Sequence, residues 1–231
     1  MVKSSKRKAG LEPTHITILM FTGVILTGTF LLMLPWAHKQ PLPFVDALFT
    51  ATSATCVTGL MTINVAETFT TFGQVVIMLL IQLGAIGILT VSSFFMLALG
   101  KAVSMKESSV IHDAFSSSQK INIKRLVRMV ITFLIGFEAV GTVIFTFLWT
   151  EELGFKGALW AALFHSISAF CNAGISIFPD TLIGMEKKPF SDLTFAVLII
   201  IGSLGFMTIT ELYERSKSRK PGRKTWSLHT R

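Results

Sequence analysis

Charge is what this sequence has least of. Asp, Glu, Lys and Arg make up 15% of the 231 residues, against 51% apolar, where soluble domains carry about 25% charged residues. With a mean hydropathy of +0.64, the composition excludes an ordinary soluble domain and places the chain in the membrane class. Cysteine is nearly absent too: Cys56 and Cys171 are the only two. That excludes a disulfide framework, and no Cys/His run has zinc-site spacing. Neither cysteine nor His165 stands in a nucleophile–base pattern. A membrane-embedded enzyme is therefore the weaker reading, and the chain is expected not to be an enzyme.

What is present is apolar sequence in long runs. Ile16–Trp36, Phe72–Gly100, Met129–Trp149 and Leu193–Thr210 are each long enough to approach or span a hydrocarbon core, which takes about 20 residues of helix. Only the third holds a charged residue, Glu138. Ile16–Trp36 is long for a signal core and lacks a small-residue cleavage site, so it is expected to be a retained first helix. Two weaker segments, Phe44–Val65 and Ala158–Phe178, are rich in Ser, Thr, Cys and Gly.

The cations decide the topology. Of 21 Lys and Arg, four lie in the N-terminal tail, six in residues 101–128 and seven in the C-terminal tail. The other four are Lys39, Lys156, Lys187 and Lys188. Cytoplasmic segments attract Lys and Arg, so both termini and the central linker are expected in the cytoplasm. That holds only if the two weak segments dip into the membrane from outside and return. The net charge of +8 is thereby assigned to cytoplasmic ends facing anionic membrane lipid, not to nucleic acid.

The weak segments resemble each other. ALFTATSATCVTGL (47–60) and ALFHSISAFCNAGI (162–175) agree at seven of fourteen positions, with Cys56 on Cys171 and Gly59 on Gly174. LIQLGAIGILT (80–90) likewise matches LIIIGSLGFMT (198–208) at Leu, Ile, Gly, Gly and Thr. The expected fold is an all-α polytopic membrane protein of two parallel helix–pore-loop–helix repeats, with four transmembrane helices and two re-entrant pore helices. The expected divisions are a basic cytoplasmic tail (1–13), a first repeat (14–100), a cytoplasmic linker (101–122), a second repeat (123–214) and a second basic tail (215–231).

Each weak segment has a short apolar helix, Phe44–Ala54 or Ala158–Ala169, and then a small-residue stretch, Thr55–Gly59 or Phe170–Gly174. Irregular backbone at membrane depth is tolerated only where it is buried in protein or lines a watery cavity. A pore supplies such a cavity, and carbonyl oxygens there replace the hydration shell of a potassium ion. The candidate ion-binding residues are Thr55, Cys56, Val57, Thr58 and Gly59 in the first loop. In the second they are Phe170, Cys171, Asn172, Ala173 and Gly174. No other metal site is expected.

SATCVTGL (53–60) and AFCNAGIS (169–176) resemble the first and second pore loops of the KtrB/TrkH superfamily of potassium transporters, closer to the KtrB branch. The resemblance covers residue 14 to the C-terminus. It implies four helix–loop–helix repeats around one pore, each giving one filter strand with a single Gly. It implies potassium uptake across the cytoplasmic membrane, with Na+ as a coupling or stimulating ion, and no covalent cofactor. It implies a homodimeric membrane subunit on a cytosolic nucleotide-binding regulatory ring. Here there are two repeats, not four. A complete filter takes a second copy (a homo-oligomer) or a partner carrying the missing repeats; a truncated or non-conducting regulatory subunit is the alternative.

Single residues carry further expectations. Both cysteine thiols are expected to pack behind the loops. Glu138, an intramembrane acid, is read either as an interhelical hydrogen-bonding group or as part of the ion path. His165 is expected to bond a neighbouring helix or to cap the filter support, rather than to serve as a proton site. Asp46 stands at the start of the first short helix, where it suits the helix dipole and would draw cations to the outer mouth. Gly84, Gly87, Gly202 and Gly205 are expected to serve close helix packing.

Overall fold

The computed structural model describes residues 13–87, 123–183 and 189–217. The expected linker 101–122, nearly all of the N-terminal tail and most of the C-terminal tail lie outside these, as do residues 88–100 of the second apolar run. The regular structure of the described residues is helical: α1 (Pro13–Leu32), α2 (Phe44–Cys56), α3 (Val65–Thr68), α4 (Thr71–Gly87), α5 (Ile123–Phe170) and α6 (Pro189–Lys217). A single antiparallel bridge joins His38 to Phe69.

Local chemistry sets the ends. Pro35 lacks an amide proton and pushes Leu34 out of helical angles, so α1 stops at Leu32, four residues short of the expected Trp36. Pro43, extended at φ −61° and ψ 145°, starts α2. Asn64 caps α3, its Oδ1 accepting from the amides of Ala66 and Glu67 at 3.0 and 3.4 Å. Inside α5, Gly154 takes φ 66° and ψ 160°, angles that only glycine adopts readily. The chain therefore bends directly from residues 123–153 into a second arm, 155–170. In the first half, eleven non-helical residues (33–43) separate α1 from α2.

Helix α1 packs on α2, and α5 on α6. One core gathers residues of α1, α2, α3 and α4, with Phe164, Ile167, Ala173 and Ile175 entering from the second half. The other gathers α5 and α6, with Ala85 entering from α4. Trp149, Phe145 and Phe195 form its aromatic centre. Among the described residues one stretch, Val130–Phe170, is long and apolar enough to cross a membrane. Thr17–Leu32, Thr71–Gly87 and Pro189–Leu204 are shorter apolar helices.

Candidate functional site

The two helix ends at Cys56 and Phe170 are built alike. After α2, the amide of Val57 donates to Ala54 O (3.4 Å) and that of Thr58 to Ser53 O (3.0 Å). After α5, Asn172 donates to Ala169 O (3.0 Å) and Ala173 to Ser168 O (2.7 Å). Both are paired 5→2 and 6→1 closures around a left-handed residue, the usual way of satisfying terminal carbonyls. Those left-handed residues are Val57 (φ 56°) and Asn172 (φ 60°), and Gly59 (φ 74°) and Gly174 (φ 66°) follow in the same order.

Serine side chains fasten each loop to its helix. Thr58 Oγ1 donates to Ser53 Oγ at 2.9 Å. Ser168 Oγ donates to Ile175 O at 2.6 Å and accepts from the Ile175 amide at 2.9 Å. The first loop then returns to where its helix began, since Thr62 Oγ1 donates to Asp46 Oδ1 at 2.8 Å. The second folds back over a shorter reach, only as far as the last turns of its helix. His165 Nδ1 faces Ala161 O at 2.7 Å, which only accepts, so Nδ1 carries the proton. The unprotonated Nε2 then receives the Ser176 hydroxyl at 2.9 Å. His165 thus ties its own helix to the loop that follows it; of the two expected roles this is support of the loop, not a bond to a neighbouring helix.

The loops lie side by side. A Cβ on Gly59 would sit 2.8 Å from Ala173 O and 3.4 Å from Gly174 Cα, and one on Gly174 would sit 3.5 Å from Gly59 Cα. Behind them, α4 and α6 approach with bare backbone: a Cβ on Gly84 would overlap Thr55 O, and one on Gly202 would overlap Phe170 O. Ser203 Oγ donates to Asn172 Oδ1 at 3.0 Å and so fixes that side chain. Sequence reasoning foresaw close packing at Gly84 and Gly202. It missed that the surfaces they meet are the last carbonyls of the two short helices.

Cys56, Val57, Phe170, Cys171 and Asn172 line one cavity of about 270 Å³, together with Ala85, Leu134 and Gly202. Two helix C-termini therefore end at this cavity, and neither last turn carries a basic residue. The partial negative charge of a helix C-terminus favours a cation. The cysteines do not behave alike. Cys56 is exposed and borders the cavity, which corrects the expectation that its thiol packs behind the loop. Cys171 is half-buried, its Sγ 3.5 Å from Glu138 Oε1. Thr55 is buried, and its Oγ1 has no hydrogen-bond partner among the described residues. Phe170 stacks on Phe137, ring centroids 5.6 Å apart. Asp46 stands apart from these, ten residues along α2 from Cys56, about 15 Å at helical rise.

Glu138 is 5% exposed. Gln82 Nε2 on α4 donates to its Oε2 at 2.6 Å. The interhelical bond is thus the one of the two readings that the geometry displays.

The two loops lie at helix C-termini beside a shared cavity, and nearly the whole chain matches one family. The model of the cation transport protein family TrkH matches residues 3–227. The chain belongs to the TrkH family. Among curated relatives, this TrkH-family chain is 38% identical over 211 residues to Ktr system potassium uptake protein B of Vibrio alginolyticus, covering 91% of the chain and 46% of the relative. It is 38% identical over 219 residues to the protein of the same description in Bacillus subtilis (95% and 48%). It is 32% identical over 222 residues to potassium/sodium uptake protein NtpJ of Enterococcus hirae (95% and 49%). The chain spans about half the length of the curated relatives it matches.

Proposed function

We propose that this chain supplies two loops of a potassium-conducting pore, as part of the pore-forming subunit of a Ktr-type uptake system in the cytoplasmic membrane. The observation that carries the reading is the pair of loops at Thr55–Gly59 and Phe170–Gly174, closed by the same hydrogen bonds and touching at Gly59 and Gly174. In this reading both loops are re-entrant, the chain is multi-pass with both termini cytoplasmic, and the main-chain carbonyls of the two stretches are ion ligands. Neutral oxygens suit a hard monovalent cation without trapping it. The helix ends at the cavity lower the cost of holding that cation away from bulk water. Asp46 gathers cations at the outer mouth.

The remaining filter strands come from a second copy or from a partner segment carrying two further loops. The relatives named as Ktr potassium uptake proteins and the potassium/sodium uptake relative support K+ as the transported ion. The potassium/sodium uptake relative alone fits Na+ as a second ion. A cytosolic nucleotide-binding ring against the basic cytoplasmic face completes the proposed assembly.

The test is potassium uptake in cells stripped of their own uptake systems, with Gly59→Ser and Gly174→Ser beside the unsubstituted chain. Both glycines sit at positive φ, where a side chain costs roughly 1–2 kcal/mol, and Cβ at Gly59 also meets Ala173 O at 2.8 Å. The expected outcome is uptake that each substitution cuts by at least about tenfold, a factor equivalent to ~1.4 kcal/mol. Uptake indifferent to both substitutions would overturn the filter reading.

A further inference from the structure

The two halves differ beneath the loops, at Glu138. Gly28 faces Leu80 as Gly141 faces Leu198. Thr29 Oγ1 donates to the carbonyl four residues back, Ile25 O, at 2.8 Å, as Thr142 Oγ1 does to Glu138 O at 2.7 Å. Glu138 therefore stands where Ile25 stands in the first half. By the match of 80–90 with 198–208, Gln82 stands where Ile200 stands in the second. Each half has an aliphatic residue where the other has its polar one, so the bond between them occurs once, across the junction.

That bond belongs to a chain of contacts reaching both loops. Gln82 sits two residues before Gly84, whose bare backbone receives Thr55 O at the end of the first short helix. Gln82 Nε2 donates to Glu138 Oε2 at 2.6 Å, and Cys171 Sγ in the second loop donates to Oε1 at 3.5 Å. Ser166 Oγ, on the helix leading into that loop, donates to Glu138 O at 2.7 Å. Glu138 is thus tied to the support of the first loop and to the body of the second.

We infer that Gln82, Glu138 and Cys171 form a brace that fixes the spacing of the two loops, making Glu138 a positioning residue for the choice between potassium and sodium. The inference rests on the pore reading above. Its mechanism is geometric. A filter selects by the number and spacing of the oxygens it offers. At Gly59 the loops meet backbone to backbone, on Ala173 O and Gly174 Cα, so a contact from behind helps to set their separation. The carboxylate accepts from two elements at once, which Ile25 cannot do in the first half.

The test compares Glu138→Gln with Glu138→Ala in the full chain. Gln keeps the size of Glu. Its carbonyl accepts from Cys171, and its amide donates to Gln82 once that amide turns over, so the brace survives without its charge. Ala removes both links. The readouts are the potassium-over-sodium ratio of uptake, and the difference between K+ and Na+ in protecting purified protein against thermal unfolding. The second reports ion binding directly, since a ligand that binds the folded state stabilises it.

E138A is expected to lower the ratio about tenfold, the effect of losing one to two hydrogen bonds, and to erase the difference in protection. E138Q is expected to keep both within about twofold. If E138A does not insert, Gln82→Leu, which cuts only the α4 link, is expected to move both readouts in the same direction. E138A, or Q82L in its place, matching the unsubstituted chain would overturn the brace, as would E138Q behaving like E138A, which would make the charge decisive. An unsubstituted chain showing neither uptake nor ion-dependent protection, even alongside a partner segment carrying the two further loops, would instead overturn the pore reading.

Discussion

Val57 holds the left-handed conformation at φ 56° and ψ 46°, where a β-branched residue is an outlier. Its counterpart Asn172 tolerates the same region, and the Asn172 side chain is also held by Ser203. Strain at Val57 is sustained because the amides of Val57 and Thr58 must close the end of α2 onto Ala54 O and Ser53 O. Val57→Asn should relieve it, raising the stability of purified protein by about 1 kcal/mol, read as a higher midpoint of thermal unfolding. An unchanged or lower midpoint would show that Val57 is not strained. The sequence offered one sign of this conformation, the alignment of Val57 with an asparagine; β-branched residues alone argue against it. Cys56 was misjudged for another reason. Packing is the default for a cysteine in an apolar run, and Cys171, before the equally left-handed Asn172, follows it by turning to Glu138; the first half has Ile25 where Glu138 stands, so Cys56 has no such acid to meet.

At the scale of elements, four glycines separate backbone contact from empty space. A Cβ on Gly84 or Gly202 would overlap Thr55 O or Phe170 O, and a main-chain oxygen cannot swing aside as a side chain can. Gly23 and Gly136 also lie within helices, yet nothing stands within 4 Å of a Cβ there. Gly84→Ala and Gly202→Ala should therefore each cost ~3 kcal/mol, the upper range for overpacked sites. Gly23→Ala and Gly136→Ala should be neutral or stabilise by up to ~1 kcal/mol through helix propensity. Thermal unfolding of the four variants checks the contrast, and equal effects at all four positions would contradict it. The matched segments 47–60 and 162–175 placed the two short helices to within a few residues, because their patterns are local. The bend at Gly154, which removes any loop between the two arms of α5, was not legible. A glycine flanked by Leu153 and Phe155 gives no sign of whether it packs or turns.

At the scale of the molecule, the contacts that join the halves come from residues far apart in sequence. Trp160 Nε1 donates to Gln74 Oε1 at 2.8 Å across 86 residues, and Asn64 Nδ2 to Pro179 O at 2.9 Å across 115. Glu138 meets Gln82 across 56. Periodicity and spacing are blind to such pairs, so the whole-molecule signals in the sequence were the internal repeat and the charge pattern, and the charge pattern makes a claim about sidedness. If Phe44–Val65 crossed the membrane outright, the linker with its Lys101, Lys106 and Lys120 would lie opposite the basic N-terminus. If the chain instead turns back, as the bond from Thr62 to Asp46 suits, both lie inside, where each cation gains about 1 kcal/mol from an anionic leaflet. In intact cells, a membrane-impermeant maleimide should label Lys156→Cys, an exposed position beside the bend of α5, above the background set by native Cys56. Ser109→Cys, in the linker, should label only after the membrane is permeabilised. Labelling of Ser109→Cys from outside would require the first weak segment to cross fully. The shared cavity would then no longer face two loops entering from one side, and the pore reading would fall with it.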